Sequence, residues 1–391
     1  GGGDGAVIDG AAGGDGAAGG DGAAGTDGAV GPADATVVPD AHGDGGGAPA
    51  IGATLAVGMY FRCARLADGT VACRGNNSLG QLGTGDTLPR SFAVRVAGLT
   101  DVVALAGSQG DHTCALRADQ TVACWGDNSD AQMGNGVVVD PDGTIPIPSP
   151  TAALVPGLAG VVEVAAGPAN TCARLADDSV RCWGEDLNGQ VGDGVPTPDA
   201  PLRPNVGSPQ EVQGLPPGVI EISLGGSQDL YHSCALIADG TPWCWGNNVR
   251  GQLGPGAPLQ MANPTPVAVP LASSATVIVA GGDNRTCAIF GAGQASCWGD
   301  GHPPHPVTGV ETAAQIVVSL LSRCVRFHDG TVGCIADGDG EDAAPTPVPG
   351  LTDVIELAAG QLQVCARRAN QDILCWFWDT APELVDMAPV E

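Results

Sequence analysis

Cys63-Ala64-Arg65-Leu66-Ala67-Asp68-Gly69-Thr70-Val71-Ala72-Cys73 reads as a single hairpin closed at its base. Asp68-Gly69 is a turn dipeptide. A three-residue Ala67-Asp68-Gly69 loop, with Gly69 in the left-handed region, pairs Leu66 with Thr70. That register sets Cys63 opposite Cys73, and opposed residues on antiparallel strands have Cβ atoms about 4.5–5.5 Å apart, within reach of a disulfide. The same Cys-x9-Cys spacing returns at Cys114 and Cys124, Cys172 and Cys182, Cys234 and Cys244, Cys287 and Cys297, Cys324 and Cys334, and Cys365 and Cys375, which uses all 14 cysteines. Zinc sites bring their ligands in close pairs such as Cys-x2-Cys, and the chain has none. Free thiols would need seven coincidences of register. The reading is seven local disulfides, and therefore an oxidising compartment. Each closes a loop of about 11 residues, worth up to about 3 kcal/mol in the chain-entropy picture.

Working outward from the pairs exposes a repeat. The first cysteines fall 51, 58, 62, 53, 37 and 41 residues apart. Upstream of most pairs lies an apolar, strand-like run ending in glycine, as in Val102 to Gly107, Val161 to Gly167, Val219 to Gly225, Val277 to Gly281 and Val354 to Gly360. Downstream, four copies carry a block ending Gln-x-Gly: Gln81-Leu82-Gly83, Gln132-Met133-Gly134, Gln190-Val191-Gly192 and Gln252-Leu253-Gly254. The last three copies are shorter and lose it. Repeats of 40–60 residues, each holding a few short strands, stack radially as propeller blades.

The pattern around His112-Thr113-Cys114-Ala115-Leu116 and His232-Ser233-Cys234-Ala235-Leu236, followed by Asp-Gly, Cys-Trp-Gly and Gly-Gln-Leu-Gly, resembles the regulator of chromosome condensation repeat in its exported bacterial, disulfide-bearing form. The likeness covers residues 51–391 and implies an all-β, seven-bladed β-propeller. The inner copies begin with a Pro-x-x-Val or Pro-x-Val strand that the first copy lacks, while the C-terminus carries an orphan one at Pro382 to Met387. The expectation is a C-terminal strand that closes the first blade.

Residues 1–50 differ in kind. From Gly10 to Gly31 every third residue is glycine, but Pro32 alone stiffens the Gly-x-y triplets, so the stretch reads as a flexible, acidic, disordered linker rather than a collagen helix. A spacer of this kind suits a surface-tethered head, and an acylated cysteine upstream would supply a lipid anchor.

Composition agrees with the strand-rich reading. The chain has 62 Gly and 31 Pro among 391 residues, too many breakers for long helices, yet it is 43% hydrophobic with 7 Trp. A net charge of −28 with only 15 basic residues excludes a phosphate-neutralising surface, so nucleic acid is not an expected partner. No apolar run is long enough to span a bilayer.

The chemistry is sparse. No Gly-x-Ser-x-Gly elbow and no His-Glu-x-x-His occurs. His302-Pro303-Pro304-His305 reads as a turn with solvated imidazoles, and Asp337 to Asp342 as an acidic surface turn that lacks calcium-loop spacing. Trp125, Trp183, Trp245, Trp298 and Trp376 share one repeat position and read as packing between blades, while Trp243 and Trp378 fall out of register. His112 and His232 read as structural, and Asn76, Asn128 and Asn248 as turn residues. No cofactor or metal is called for.

Binding is expected on the seven loops between each apolar run and its first cysteine. There Tyr60, Phe61, Arg62, Asp111, Tyr231, Arg285 and Arg323 form a candidate hot spot of exposed aromatics beside arginines. The reading is an exported or cell-surface monomer that binds a protein or glycan without catalysis, with enzyme inhibition as one form of it. The alternative is a secreted lyase or hydrolase with a channel-mouth active site, for which only Asp111, Asp229 and Asp283 offer carboxylates on these loops.

Overall fold

Leu66 N donates to Thr70 O at 2.8 Å, and Gly69 N to Leu66 O at 3.0 Å with Gly69 at φ 77°. The hairpin therefore has the expected loop, and Cys63 lies opposite Cys73. This computed structural model describes residues 52–107, 109–138, 148–196, 205–291, 293–340, 343–377 and 380–390. The expected linker at 1–50 and Trp378 lie outside them. Where other copies lack the turn glycine, Gln120, Asp178 and Gln371 take the left-handed conformation themselves, at φ 64°, 65° and 73°. All seven cysteine pairs are directly opposed, with Cα atoms 4.0–4.1 Å apart, and all seven disulfides are present.

Among the described residues there are seven four-stranded antiparallel sheets and no helix. Each sheet is one blade built from four consecutive strands. In blade one these are Leu55–Val57, Phe61–Arg65, Val71–Gly75 and Arg90–Arg95. The apolar run is the inner strand, the two cysteine strands are the middle, and the Pro/Val strand is the outer edge, where proline costs no ladder bond. His302 and His305 belong to such an edge, His302–Pro306 in blade five, rather than to a turn.

The blades pack through a repeated pair of groups: one blade's disulfide and the next blade's indole. Cys63–Cys73 shares a core with Trp125, Cys114–Cys124 with Trp183, Cys172–Cys182 with Trp245, Cys234–Cys244 with Trp298, and Cys324–Cys334 with Trp376. The blade-five disulfide meets Ile335 instead, and the blade-seven disulfide meets Leu55, Val57 and Met387.

Ring closure departs from expectation. The C-terminal strand Glu383–Val385 pairs with Ile373–Phe377 and so completes blade seven, while blade one has its own outer strand. The error was one of phase. The Pro/Val strand ends each repeat instead of beginning it, so the C-terminal copy is not an orphan. Blades one and seven meet without sharing a strand. Glu356 Oε1 accepts from Thr54 N at 2.6 Å and Leu55 N at 2.9 Å. Glu163 and Glu221 hold the next blade's inner strand in the same way through Ile222 N and Ile278 N, and Gln315 through Leu357 N. Beyond its strand the C-terminal tail crosses to blade one. Arg74 Nη1 donates to Asp386 O at 3.1 Å, Met387 enters the shared core, and Val390 N donates to Ala93 O at 3.1 Å.

Candidate binding face and the latches beneath it

A four-stranded meander places its first and third connections at one end of the blade. The loops after the inner strands and the loops before the outer strands therefore share one face, and the tight turn hairpins lie at the other. In blades one to four the described parts of the loops before the outer strands are long, at residues 76–89, 127–138, 185–196 and 247–262, whereas blade five crosses with 300–301 alone.

The Gln-x-Gly block anchors the long loops. Asn77, Asn128, Asp186 and Asn248 accept through Oδ1 from the backbone N of Leu82, Met133, Val191 and Leu253 at 2.9–3.0 Å. In the first copy the clamp is thus Asn77, one place beyond the Asn76 marked by sequence. Each glutamine's backbone carbonyl then receives the next blade's indole. Trp125 Nε1 donates to Gln81 O, Trp183 to Gln132 O, Trp245 to Gln190 O and Trp298 to Gln252 O, at 2.8–3.1 Å. Thr171, Ser233 and Thr286 add a hydroxyl to the last three of these carbonyls. The block's closing glycine leaves room for the indole, since a Cβ on Gly134 would lie 2.6 Å from Trp183 Nε1.

His112 and His232 complete the same seams. Their Nε2 atoms sit 2.9 Å from Thr171 Oγ1 and Thr286 Oγ1, and burial pushes the imidazole pKa values down to about 4 and about 3. Both rings are therefore neutral and structural, as expected.

The predicted hot spot divides. Tyr60 is 54% exposed and Tyr231 is half-buried, its hydroxyl donating to Asp229 Oδ1 at 3.2 Å. Burial, then Glu185 and Asp229, raise the pKa of the Tyr231 phenol. Phe61 is 1% exposed and belongs to the core of blades one and two, which removes it from the face. Arg285 and Arg323, at 5% and 6%, are not exposed anchors either. Arg285 bonds Asp283 Oδ2 at 2.5 Å and Asp300 Oδ2 at 3.3 Å, with Asp337 at 3.7 Å. Arg62 Nη1 donates to Gln363 Oε1 across the blade-seven seam at 2.9 Å, and burial lowers its pKa. Asp111 Oδ1 accepts from Gln81 Nε2 at 2.9 Å, and burial raises its carboxyl pKa.

The physical reason lies in repeat position. Phe61 and Arg285 stand where His112, Asn170 and His232 stand, two residues before the cysteine, and that position points into the seam. Arg62 and Arg323 stand where Thr171, Ser233 and Thr286 reach the preceding blade's glutamine carbonyl. Blades one and six follow blades that have no Gln-x-Gly block, so a long cation occupies the place of the hydroxyl.

Sequence reasoning missed the long loops themselves. Eight of the fifteen exposed large apolar side chains among the described residues lie in them: Leu88, Val137, Val138, Leu187, Val195, Val249, Leu259 and Met261, the last two at 75% and 65%. Among them lies Glu185, nearly fully buried. Burial, then Asp130, Asp229 and Asp186, push its carboxyl up to about 8. The available signal was apolar residues inside Gly/Pro/Asp-rich stretches, where no core needs them.

The Regulator of chromosome condensation (RCC1) repeat matches the chain at residues 102–132 and 161–190, and a second form of that repeat matches at 239–289. The chain carries RCC1 repeats. It is 26% identical over 306 residues to the probable E3 ubiquitin-protein ligase HERC6 of Homo sapiens, covering 73% of this chain and 28% of that protein. It is 27% identical over 204 residues to the ultraviolet-B receptor UVR8 of Arabidopsis thaliana, covering 52% and 43%. The chain thus spans less than half the length of these relatives.

Among solved structures, Prp20p of Saccharomyces cerevisiae superposes with a TM-score of 0.67 at 18% identity, covering 84% of this chain and 87% of that one. Human WBSCR16 gives 0.64 at 20%, covering 78% and 83%. These likenesses establish the RCC1 propeller fold. The two repeat matches at 102–132 and 161–190 each end on the latch glutamine.

Proposed function

We propose that this RCC1 propeller is a non-catalytic protein-binding module that works outside the cell, as a single copy, through the long loops of blades one to four. The observation that carries the reading is the concentration of exposed apolar side chains in those four loops, on a frame latched directly beneath them. Isolated surface leucines are ordinary, but a run of them rimmed by polar groups marks an interaction surface. The rim is acidic, with Asp111, Asp127, Asp130 and Asp229, which favours a basic partner and faster association at low salt. Fourteen cysteines paired into seven disulfides, none free, support an oxidising location. Solved relatives lend the class of function: yeast RCC1 (Prp20) is known bound to Kap60, and Prp20p for its binding to Gsp1p and histones.

The test is capture by the immobilised oxidised chain from culture medium and envelope extract, with identification by mass spectrometry. A Leu259→Ser, Met261→Ser variant should lose the captured protein by tenfold or more, while a Phe92→Ser, Leu384→Ser control on the outer strands should retain it. Equal loss by both variants, or retention by both, refutes the long-loop face.

A further inference from the structure

The seven disulfides differ in how well they are covered. Thirteen of the fourteen cysteines are at most 5% exposed, and Cys334 alone is half-buried. The cause lies in blade six. Its outer strand is two residues, Thr346–Pro347, paired only at Gly333↔Pro347 and Cys334↔Thr346. Blades one to five have outer strands of five or six residues. Blade seven, with three, is sealed by Met387 of the C-terminal tail, which packs with Cys365 and Cys375. Among the described residues blade six has neither cover, and its sequence has no Gln-x-Gly block.

A second feature points to the same bond. Ser322 Oγ lies 3.9 Å from Cys324 Sγ and 3.1 Å from Ser319 Oγ, which gives its own proton to Ser322 O and so accepts from the Ser322 hydroxyl. The corresponding positions in the other blades hold Phe61, His112, Asn170, His232, Arg285 and Gln363. Of these seven residues, Ser322 alone is described with a hydroxyl 3.9 Å from its blade's first cysteine sulfur. A hydroxyl so placed can turn from Ser319 to meet negative charge that develops on Cys324.

We propose that Cys324–Cys334 is a thiol–disulfide exchange site whose reactant is a small dithiol. An incoming thiolate attacks Cys334 Sγ, the S–S bond breaks, and the electron pair leaves on Cys324 Sγ, where Ser322 O–H meets it before solvent protonates it. The dithiol's second sulfur, as thiolate, then attacks the mixed disulfide. It releases Cys334 as thiolate and leaves as a cyclic disulfide, so two protein thiols form for one dithiol oxidised. The direction of attack follows from access, because exchange depends on which sulfur can be reached as well as on the leaving thiolate. Opening this bond removes the covalent link between the two middle strands of blade six and leaves the other six covalent closures in place.

The experiment treats the full oxidised chain with graded dithiothreitol at pH 8 under native conditions. Acid quenching, alkylation with a first reagent, full reduction and alkylation with a second let mass spectrometry assign each pair. Cys324 and Cys334 are expected to take the first reagent at least tenfold faster than any other pair, before the tryptophan fluorescence changes. A monothiol in place of the dithiol is expected to leave its adduct on Cys334. Ser322→Ala, whose hydroxyl is small and near the loop face, is expected to slow opening severalfold at an unchanged melting temperature. If another pair opens first, or all seven open together with loss of fluorescence, the proposal fails. An adduct on Cys324 overturns the direction of attack. The wild-type time course decides the matter even if a variant misfolds.

Discussion

Blades one to four and blades five to seven close the same seams with different chemistry. In the first group a glutamine carbonyl receives an indole N–H and, in most copies, a hydroxyl. In the second the block is gone, and each seam has its own substitute. Arg285 gathers Asp283, Asp300 and Asp337 between blades five and six. Leu320 N donates to Gln361 O between blades six and seven, and Gln363 Nε2 to Gly58 O and Phe61 O between seven and one. A repeat can therefore lose its most recognisable motif and keep its architecture, provided that some group meets the buried polar atoms facing it. The trade is visible on the surface. The long loops that the block anchors also carry most of the exposed apolar side chains described on that face, and the described residues of the short blades carry few there.

The sharpest way to break this contrast is to remove an indole from each sector. Trp183→Ala deletes a fully buried ring and its bond to Gln132 O, and should cost about 4–5 kcal/mol. Trp376→Ala should cost less, about 3 kcal/mol, because that indole is slightly exposed and its N–H has no partner among the described residues. Equal losses in chemical denaturation would mean that the carbonyl latch adds nothing to packing.

The next largest effect belongs to the unlatched seam between blades seven and one. Removing residues 386–391 takes away Met387 from the shared core, Asp386 O from Arg74 and Val390 N from Ala93. The expected loss is about 2–4 kcal/mol in urea denaturation. Hydrogen exchange should rise first at Leu55–Arg65 and Gln363–Phe377, with blades two to four unchanged. Uniform acceleration around the ring would erase the distinction between the two sectors.

A pH measurement tests the long-loop side alone. Glu185 has its pKa raised to about 8, so the folded state holds its proton more tightly than the unfolded state does. The stability from that proton is fully present below the unfolded pKa, near 4.5, and is lost as pH rises toward 8. Glu185→Gln keeps an acceptor for Gln190 and removes the titration. It should match the wild type below about pH 4.5 and exceed it by about 1–3 kcal/mol above pH 8. A difference that does not change with pH would show that the carboxyl is solvated.

The smallest effect should be blind to the sector. Gln120→Gly in blade two and Gln371→Gly in blade seven relieve a left-handed backbone at the hairpin end, and each should change stability by less than about 1 kcal/mol. Unequal responses would mean that the two sectors differ at both ends.

What the sequence made legible was local. The turn, the opposed cysteines and the blade count all follow from residues about ten apart, where register is set by a single hairpin. Contacts between blades were not legible. Trp183 meets Gln132 across 51 residues, and no short-range pattern fixes that register. The misplacement of Phe61, Arg285 and Arg323 has the same origin. Their repeat positions face a neighbouring blade, and only the histidines at His112 and His232 hinted at it. The strand at Glu383–Val385 was recognised as a strand and assigned to the wrong end of the ring, because a periodic sequence does not declare where its period starts.

The confinement of every disulfide to a single blade also bears on biosynthesis. Each first cysteine finds its partner ten residues later, so pairing can follow the order of the chain, with no earlier segment held open for a later one. A ring fastened by a strand shared between its ends would fix the order of its parts. One whose units are each covalently complete and which closes without a shared strand can gain or shed a unit, or have its ends relocated to another junction, without leaving a thiol unpaired.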